Sequence, residues 1–230
     1  LASALFASAY SQYYYAVDIN QLGSVSSFSC LRNSYSTVFV RGYRGDGQGS
    51  VDSNANSNLQ MAYNAGLGIE VYMTPSPTSS KSGASQVDET ITNLVNGGFN
   101  IRSLWVQVTS PVNWPNNQAN NMAFINSAVQ RIQARGITAG IYTNNYDWAQ
   151  ITNNSNSLSA YVLLWYWNVY GSGSSGESSP NFTDFHSFGR WNSAAVKQFG
   201  QSESICGFLA NRDVYPASSV QLKNDMAVKA

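Results

Sequence analysis

One strand–helix–strand unit lies in Ser103–Tyr142, which reads SLWVQVTSPVNWPNNQANNMAFINSAVQRIQARGITAGIY. Its outer runs, Ser103–Val108 and Thr138–Tyr142, are short, apolar and rich in β-branched or aromatic residues, as buried strands are. Between them, Ala119–Arg135 repeats apolar side chains at helical spacing and is followed by Gly136, a common helix stop. Two strands joined through a helix are expected to lie parallel in one sheet.

The same alternation extends in both directions along the chain. The other predicted strands are Tyr13–Asp18, Thr37–Arg41, Gly68–Met73, Val162–Tyr166, Ala195–Phe199 and Phe208–Asp213. The other predicted helices are Ser26–Asn33, Ala55–Ala65 and Ser85–Asn96, the last with Ser85 as its N-cap. After Tyr142 the helical pattern weakens, and a short connection joins the last two strands. The pattern predicts an α/β fold, a TIM-like barrel of the (β/α)5(β)3 type.

We expect this barrel to occupy residues 13–216 as one domain with one disulfide. A chain of 230 residues is long enough to bury such a core without metal. Residues 1–12, LASALFASAYSQ, are interpreted as a signal-peptide remnant or an N-terminal tail, and residues 217–230 as a C-terminal tail. This interpretation predicts a secreted protein, found outside the cell or in the lysosomal lumen.

The charge balance excludes several classes of partner. Twelve basic and twelve acidic residues cancel, and charged residues make up only 10% of the chain. Without concentrated positive charge, nucleic acid and anionic membrane surfaces are not expected partners. Neutral hydrogen-bonding side chains and aromatic rings instead suit a polysaccharide. The alternative is that the composition reflects only an extracellular location.

The chain has only two cysteines, Cys30 and Cys206, and one histidine, His186, which argues against a zinc site, and we expect neither metal nor cofactor. The cysteines are either two buried thiols or one disulfide, and an oxidising compartment favours the disulfide. In a closed barrel a Cys30–Cys206 bridge would join the first and last strands at the seam. The Asn153 and Asn181 sequons agree with secretion but arise easily by chance in a chain rich in Asn and Ser.

In barrels of this type, the reacting groups lie at the carboxyl ends of the strands. Asp18 ends the first predicted strand and Asp213 the last. If these strands are neighbours, the two carboxylates lie side by side and shift each other's pKa values. The structural alternative is that each caps a helix or pairs with an arginine, such as Arg212 beside Asp213. The other polar or aromatic candidates near strand ends are Arg41, Glu70, Tyr72, Gln107, Thr109, Tyr142, Asp147, Trp148 and Trp165.

The tryptophans near the open end have two interpretations. Trp114, Trp148, Trp165 and Trp167 lie in or beside loops there, where flat rings stack against sugars or simply pack in the core. His186 has no nucleophile elbow to act with and is interpreted as structural. The glycine-rich stretch RGYRGDGQGS at 41–50 matches no nucleotide motif and predicts a rim loop.

Seven motifs together resemble the glycoside hydrolase family 25 lysozymes, in particular the nematode and protist type. In chain order they are AVDINQ, FVRGYR, AGLGIEVYMTP, LWVQVTSPVNW, GIYTNNYDW, LLWYWNVYG and KQFGQSESICGFLANRDVYP. The resemblance runs from about Tyr15 to Pro216. It implies a (β/α)5(β)3 barrel that cleaves the β-1,4 bond between N-acetylmuramic acid and N-acetylglucosamine in peptidoglycan, in antibacterial defence or in digestion of bacteria.

The resemblance also implies site residues. Asp18 and Asp213 match the family's aspartates on the first and closing strands. The fourth strand departs, because Gln107-Val108-Thr109 stands where bacterial members carry Asp-x-Glu, the Glu being the general acid. An amide and a hydroxyl cannot supply the proton that the leaving sugar oxygen needs.

Two hypotheses follow from this departure. In the first, the enzyme is active and Glu70, or else Asp147, serves as the acid, with Asp18 and Asp213 as base or charge stabilisers. Glu70 would need a raised pKa, and its structural alternative is a buried glutamate paired with Arg41. In the second, hydrolysis is lost and the barrel binds glycan through Asp18, Asp213, Gln107, Tyr72, Trp148 and Trp165. In either case, the predicted substrate-binding residues are Arg41, Tyr72, Gln107, Thr109, Tyr142, Asp147, Trp148 and Trp165.

Overall fold

The computed structural model describes residues 13–158 and 161–217, together with the backbone of Val228–Lys229. The predicted signal-peptide remnant at 1–12 lies outside the described residues. The strands are β1 Tyr13–Ile19, β2 Thr37–Arg44, β3 Ser50–Val51, β4 Gly68–Met73, β5 Phe99–Asn100, β6 Ser103–Gln107, β7 Thr138–Thr143, β8 Leu163–Trp167, β9 Val196–Ile205, β10 Phe208–Pro216 and β11 Val228–Lys229. The α-helices are α1 Val25–Arg32, α2 Ala55–Asn64, α3 Gly83–Asn96, α4 Gln118–Ala134 and α5 Asn145–Thr152.

Eight of these strands close into a barrel. Their order around it is β1, β2, β4, β6, β7, β8, β9 and β10, and β10 pairs with β1 to complete the circle. Neighbours from β1 round to β9 are parallel, whereas β10 runs antiparallel to both β9 and β1. Each of the first five barrel strands is followed by an α-helix, and the last three have none in the described segments between them. The predicted (β/α)5(β)3 barrel is therefore confirmed.

Two helix predictions are corrected by the structure. Helix α5 begins directly after β7, in the stretch where the helical pattern of the sequence weakened. The pattern is weak there because the helix is only 8 residues long and relies on a cap. Asn144 supplies that cap, its side chain accepting a hydrogen bond from the Asp147 backbone N–H at 2.7 Å. Helix α3 is capped by Ser82 and not by Ser85. The backbone at Ser82 is extended, which lets its Oγ accept from the Ser85 N–H at 3.1 Å.

Aromatic rings fill the barrel interior. Successive strand side chains alternate between this interior and the apolar layer under the helices. Gly140 on β7 pairs in register with Trp105 on β6, and a Cβ at position 140 would come within 2.1 Å of the Trp105 ring. The missing side chain at position 140 therefore makes room for an indole inside the barrel. The interior rings are Phe39, Tyr72, Trp105, Tyr142, Trp165 and Tyr215.

A disulfide joins Cys30 on α1 to Cys206 in the turn between β9 and β10, with the Cα atoms 5.7 Å apart. The predicted bridge is thus present, and it ties the first helix to the last hairpin beside the barrel seam. Val228–Lys229, within the predicted C-terminal tail, pairs antiparallel with Phe99–Asn100. Among the helices of the described residues, none has the length and apolar character needed to cross a membrane.

Candidate active site

A cavity of about 490 Å³, which we call the central hollow, opens at the carboxyl ends of the parallel barrel strands. Two of its lining residues are carboxylates: Asp18 near the end of β1 and Asp147 in the first turn of α5, just after β7. Strands β1 and β7 are four positions apart in either direction around the eight-stranded barrel. The two carboxylates therefore approach the hollow from opposite walls. The other lining residues include Asn20, Gln107, Thr109, Tyr142, Trp167, Gln201 and Asn211.

Asp18 is almost fully buried and is held by two side-chain amides. Its Oδ1 accepts a hydrogen bond from Asn211 Nδ2 at 2.9 Å, and its Oδ2 accepts one from Gln198 Nε2 at 2.6 Å. Burial raises the pKa of Asp18 to about 6, against the opposing effect of hydrogen bonds from Asn211, Gln198 and Asp213. Asp18 can therefore gain and lose a proton in the mildly acidic range.

Asp213 lies one step below Asp18 inside the barrel. In the β1–β10 register Asp18 faces Asn211, and Asp213 faces Ala16. Asp213 Oδ1 accepts from Trp165 Nε1 at 2.9 Å, and no donor among the described residues bonds its Oδ2. Burial, and then the charge of Asp18, raise the pKa of Asp213 well above its ordinary value. Asp213 therefore holds a proton more tightly than an exposed aspartate does.

The proximity predicted for Asp18 and Asp213 is found, but its geometry differs from the prediction. We expected Asp213 to close a strand running alongside β1. Strand β10 instead continues to Pro216 and is antiparallel to β1, so Asp213 reaches Asp18 from the middle of its strand. As a result Asp213 does not line the central hollow, and it contacts Asp18 from beneath.

Asp147 accepts hydrogen bonds from two N–H donors. Its Oδ2 accepts from Trp167 Nε1 at 3.2 Å, and the Ser110 backbone N–H is a second donor. Ser110 has a φ of 56°, a left-handed conformation that non-glycine residues adopt at a cost and that is common at functional sites. Burial raises the pKa of Asp147, while the bonds from Trp167 and Ser110 oppose that rise. The N-terminus of α5 also favours its charged form.

Gln107 and Thr109 form a ridge on one side of the central hollow. Thr74 Oγ1 donates to Gln107 Oε1 at 2.6 Å, and Gln107 Nε2 donates to Thr109 Oγ1 at 3.0 Å. Neither side chain ionises in the working pH range of proteins. The place where the family resemblance implies a proton donor is thus occupied by a fixed network of neutral hydrogen bonds.

Beyond this ridge lies a second cavity of about 610 Å³, which we call the arginine hollow. It shares Gln107, Thr109 and Ser110 with the central hollow, and residues 45–47 of the predicted rim loop line it. Arg41 is the cation among its lining residues. Arg41 Nε donates to Asp52 Oδ2 at 2.8 Å and Arg41 Nη2 to the Asn20 carbonyl at 3.0 Å, while the side chain remains 22% exposed.

Glu70 lies outside both hollows. It is buried low in the barrel, where its Oε2 accepts hydrogen bonds from Ser103 Oγ and, at 2.9 Å, from Trp105 Nε1. The alternative of a Glu70–Arg41 pair is wrong, because Arg41 lies two residues beyond Glu70's register partner Phe39 and bonds Asp52 instead. Since Glu70 does not line the central hollow, it is not placed to give a proton to a ligand there.

Three predicted substrate-binding rings are buried. Trp148 packs edge-on against Trp191 under the helices and donates from Nε1 to the Ser155 carbonyl at 2.9 Å. Trp165 stacks on Tyr142 with centroids 4.1 Å apart. Tyr72 directs its hydroxyl to the Ile19 carbonyl at 3.4 Å. Predicting sugar contacts for these three was wrong, because interior packing covers their faces; Tyr142 itself reaches the central hollow.

Several site residues were missed at the level of sequence. Gln198 and Asn211 lie on interior positions of β9 and β10, and each bonds Asp18. Strand alternation from Asp213 would have found Asn211, two residues earlier on the same face. Asp52 follows the two-residue strand β3, and nothing in its local sequence indicates a partner for Arg41. Within residues 13–158 and 161–217, no cluster of three or more acidic, His or Cys side chains is arranged to hold a metal.

Comparison with known proteins gives the chain close sequence relatives. A family model described as Lysozyme-like protein 1 matches residues 9–199. The chain is 49% identical over 217 residues to Lysozyme-like protein 2 of Caenorhabditis elegans, covering 92% of this chain and 78% of that one. It is 31% identical over 202 residues to Probable GH family 25 lysozyme 2 of Dictyostelium discoideum, covering 87% of this chain and 90% of that one.

Solved structures share the fold at lower sequence identity. A family GH25 lysozyme from Aspergillus fumigatus superposes with a TM-score of 0.70 at 17% identity, covering 94% of this chain and 99% of that one. A muramidase from Trichobolus zukalii gives a TM-score of 0.69 at 19% identity. It covers 93% of this chain and 98% of that chain. The barrel as a whole is therefore a family 25 lysozyme barrel in its fold.

Proposed function

Because the chain belongs to the lysozyme-like proteins of glycoside hydrolase family 25, we propose that it hydrolyses the β-1,4-linked, N-acetylated glycan of peptidoglycan. Its relatives are named lysozyme-like proteins and a probable family 25 lysozyme. Its open barrel end is lined by neutral hydrogen-bonding side chains, which suit a sugar ligand. The observation that carries the proposal is the pair of carboxylates, Asp18 and Asp147, on opposite walls of the central hollow.

The surroundings of the two carboxylates support Asp18 as the acid. Asp18 has a pKa of about 6 and rests on Asp213, a buried carboxyl whose pKa is raised well above its ordinary value by desolvation and by the charge of Asp18. Burial raises the pKa of Asp147, but two N–H donors and the helix N-terminus oppose that rise and favour a carboxylate. Two acids whose surroundings differ in this way divide into a proton donor and a charged partner. Asp18 is the donor and Asp147 the charged partner.

Hydrolysis then follows the two-carboxylate scheme. Asp18 gives its proton to the glycosidic oxygen as the bond from that oxygen to the anomeric carbon breaks. The Asp147 carboxylate stabilises the positive charge that develops on the sugar and takes a proton from the water that forms the new bond to the anomeric carbon. Exchange with solvent returns both groups to their starting states. Asp213 acts as a positioning residue, because it contacts Asp18 and not the substrate.

Gln107 and Thr109 take a binding role in this scheme. Gln107 is fixed by Thr74 and bonds Thr109, so its amide has one preferred orientation over the hollow. A fixed amide and hydroxyl match the acetamido group of an N-acetylated sugar, which offers one N–H and one carbonyl. Tyr142 completes this wall from below.

Arg41 favours peptidoglycan over a neutral glycan. Two edges of its guanidinium are held by Asp52 and Asn20, and the exposed part lies at the arginine hollow, next to the central one. A pre-oriented guanidinium suits a carboxylate. The peptide stems of peptidoglycan carry carboxylates, whereas chitin carries none.

The test is release of reducing ends from purified peptidoglycan by the wild type and by Asp18→Asn, Asp147→Asn and Glu70→Gln. We expect each aspartate variant to lose about 10²- to 10⁴-fold in rate, the usual contribution of a general acid or base. Glu70→Gln serves as the matched control, since it removes a buried carboxylate outside the hollow, and it should keep near wild-type activity. Equal loss in all three variants would count against the assignment.

A wild type that binds peptidoglycan but releases no reducing ends would overturn hydrolysis. It would favour a glycan-binding barrel instead, in line with the neutral residues Gln107 and Thr109 on the fourth barrel strand. Pull-down on the same insoluble peptidoglycan, run beside the activity assay, separates these two results.

We also propose that the protein works outside the cell or in the lysosomal lumen, in defence against bacteria or in their digestion. The disulfide supports an oxidising compartment, and a pKa near 6 for Asp18 supports work at acidic pH. Recovery of the disulfide-bonded protein from the culture medium of expressing cells tests the location. Retention in the cytosol with free thiols would contradict it.

A further inference from the structure

A third cavity, which we call the side hollow, adjoins the central hollow on the side away from Arg41. Its volume is about 300 Å³, and its lining includes Asn145, Tyr146, Trp167, Asp184 and His186. Trp167 lines both the central and the side hollow. The arginine, central and side hollows therefore follow one another in that order across the open end of the barrel, and Trp167 lies between the central and the side hollow.

The floor of the side hollow is a closed polar network. Asp184 accepts hydrogen bonds from Tyr166 Oη at 2.7 Å, Asn168 Nδ2 at 2.6 Å and Lys197 Nζ at 2.6 Å. Lys197 is fully buried and also donates to the carbonyls of Ser179 and Asn181. These bonds hold the long segment between β8 and β9 against the barrel, so the hollow has a fixed shape.

Tyr146 is a large ring left open at this hollow. It belongs to the first turn of α5, directly before Asp147, and is 66% exposed. Among the ring contacts of the described residues, Tyr146 has none, and in particular it does not stack on Trp167. Tyr146 and Trp167 thus line one small cavity without packing on each other, and polar Asn145 and His186 lie beside them.

We propose that the side hollow is a subsite for one further sugar of the glycan that occupies the central hollow. The proposal rests on the proposed function. The ligand class is an N-acetylated β-1,4-linked sugar, whose apolar ring face stacks on an aromatic side chain and whose hydroxyls bond polar groups at its edge. Tyr146 provides the stacking face. The occupant is inferred to be the same glycan chain because the two hollows meet at Trp167. A linear glycan leaving the central hollow passes over that ring.

The subsite is also linked to the catalytic carboxylate Asp147. Trp167 Nε1 donates to Asp147 Oδ2, so a sugar resting against Trp167 holds the ring that orients the charged carboxylate. Occupation of the side hollow therefore improves the positioning of Asp147. Longer glycans are expected to gain in turnover as well as in affinity.

The experiment measures binding of the neutral probes chitotriose and chitohexaose by calorimetry to the whole protein. Wild type is compared with Tyr146→Ala, Tyr146→Phe and Tyr170→Ala. Tyr170 is the matched control, being 78% exposed and absent from the lining of all three hollows. Tyr146→Ala should weaken hexamer binding about three- to tenfold, the range of one aromatic contact. Trimer binding should change less than twofold.

Tyr146→Phe keeps the ring and should retain the wild-type preference for the hexamer, as should Tyr170→Ala. Unchanged hexamer binding in Tyr146→Ala, or an equal loss for trimer and hexamer, overturns the subsite while leaving the proposed function intact. Failure of the wild type to bind either probe or peptidoglycan overturns the proposed function itself. Circular dichroism on the same samples excludes misfolding as the cause of any loss.

Discussion

Asp213 is the buried neighbour of Asp18 where β10 pairs antiparallel with β1 to close the barrel, and each carboxyl shifts the pKa of the other. One carboxyl lines the central hollow and the other is fully buried beneath it. Desolvation, and then the charge of Asp18, raise the pKa of the buried member, Asp213, well above its ordinary value. Asp18, the member that lines the hollow, is therefore the group that titrates within reach of a ligand, with a pKa of about 6.

The rate of hydrolysis should follow a bell-shaped curve in pH. Activity requires Asp18 protonated, so it should fall as pH rises through about 6. It also requires Asp147 ionised, so it should fall again on strong acidification, at a pH above the ordinary aspartate value because burial raises the pKa of Asp147. Initial rates on soluble peptidoglycan fragments between pH 3 and pH 8 check this. A maximum above pH 7 would refute Asp18 as the donor.

Asp213→Asn should leave activity within about tenfold of wild type. The amide oxygen of Asn still accepts from Trp165, and its N–H still donates to Asp18, so the variant copies the protonated acid. Asp213→Ala removes both bonds and should lose much more. The alkaline limb of the pH–rate curve is the second measurement. Equal, complete loss in both variants would mean that Asp213 itself gives up a proton during the reaction.

Conformational stability should decline from pH 4 to pH 8. Both pKa values are raised in the folded state, from an ordinary 3.8 to about 6 for Asp18 and further for Asp213. The stabilising effect is complete below pH 3.8 and is lost as pH rises through the folded values, with a slope of at most about 1.4 kcal/mol per pH unit for each group. Urea unfolding across this range measures it, and Asp213→Asn should flatten the curve above pH 6.

Glu203 contributes to the same trend and needs its own control. Burial and the neighbouring Glu177 raise its pKa to about 7, so its effect on stability also disappears as pH rises. Glu203→Gln should remove that part and leave the Asp18–Asp213 part in place. If Glu203→Gln alone abolished the pH dependence, the carboxyl pair at the seam would not be its main source.

Gly140→Ala should destabilise the barrel by about 1–3 kcal/mol, the usual cost of overpacking a core. The new methyl would meet the Trp105 ring at 2.1 Å, and Trp105 cannot retreat without losing its hydrogen bond to Glu70. Thermal unfolding checks this, with Gly98→Ala as a contrast, where no atom lies within 4 Å but a φ of 84° adds backbone strain. Pairing Gly140→Ala with Trp105→Phe should recover part of the loss.

Removing Arg41 should weaken peptidoglycan binding more than chitin binding. Arg41→Gln alone also leaves Asp52 Oδ2 without its cation, at a cost of about 1–3 kcal/mol in stability. The double variant Arg41→Gln/Asp52→Asn removes that buried charge and is the better probe. It should bind chitohexaose like wild type and bind peptidoglycan more weakly, with a smaller dependence on salt. Equal affinity of the double variant and wild type for peptidoglycan would exclude Arg41 from recognition.

The sequence carried enough information to predict most of the fold. The strand Gly68–Met73 has the predicted bounds, and every other barrel strand overlaps its prediction, because apolar runs between turn residues mark buried strands directly. Helix α5 escaped detection since it is short and stabilised by one capping side chain, Asn144, instead of a long apolar face. The position of Asp18 at a strand end was also predictable, since residues at the carboxyl ends of barrel strands face the open end.

The sequence by itself thus determined the barrel and the placing of Asp18 and Asp147 at its mouth, because these depend on local periodicity and chain order. The tertiary structure decided which polar groups share a cavity and which are covered. From the sequence alone, Glu70 and Trp148 were candidates for the site just as Asp147 was. In the structure, Glu70 lies low in the barrel and Trp148 lies under the helices. Burial, and with it the pKa order of Asp18 and Asp213, depends on side chains distant in the chain. No local pattern records those contacts.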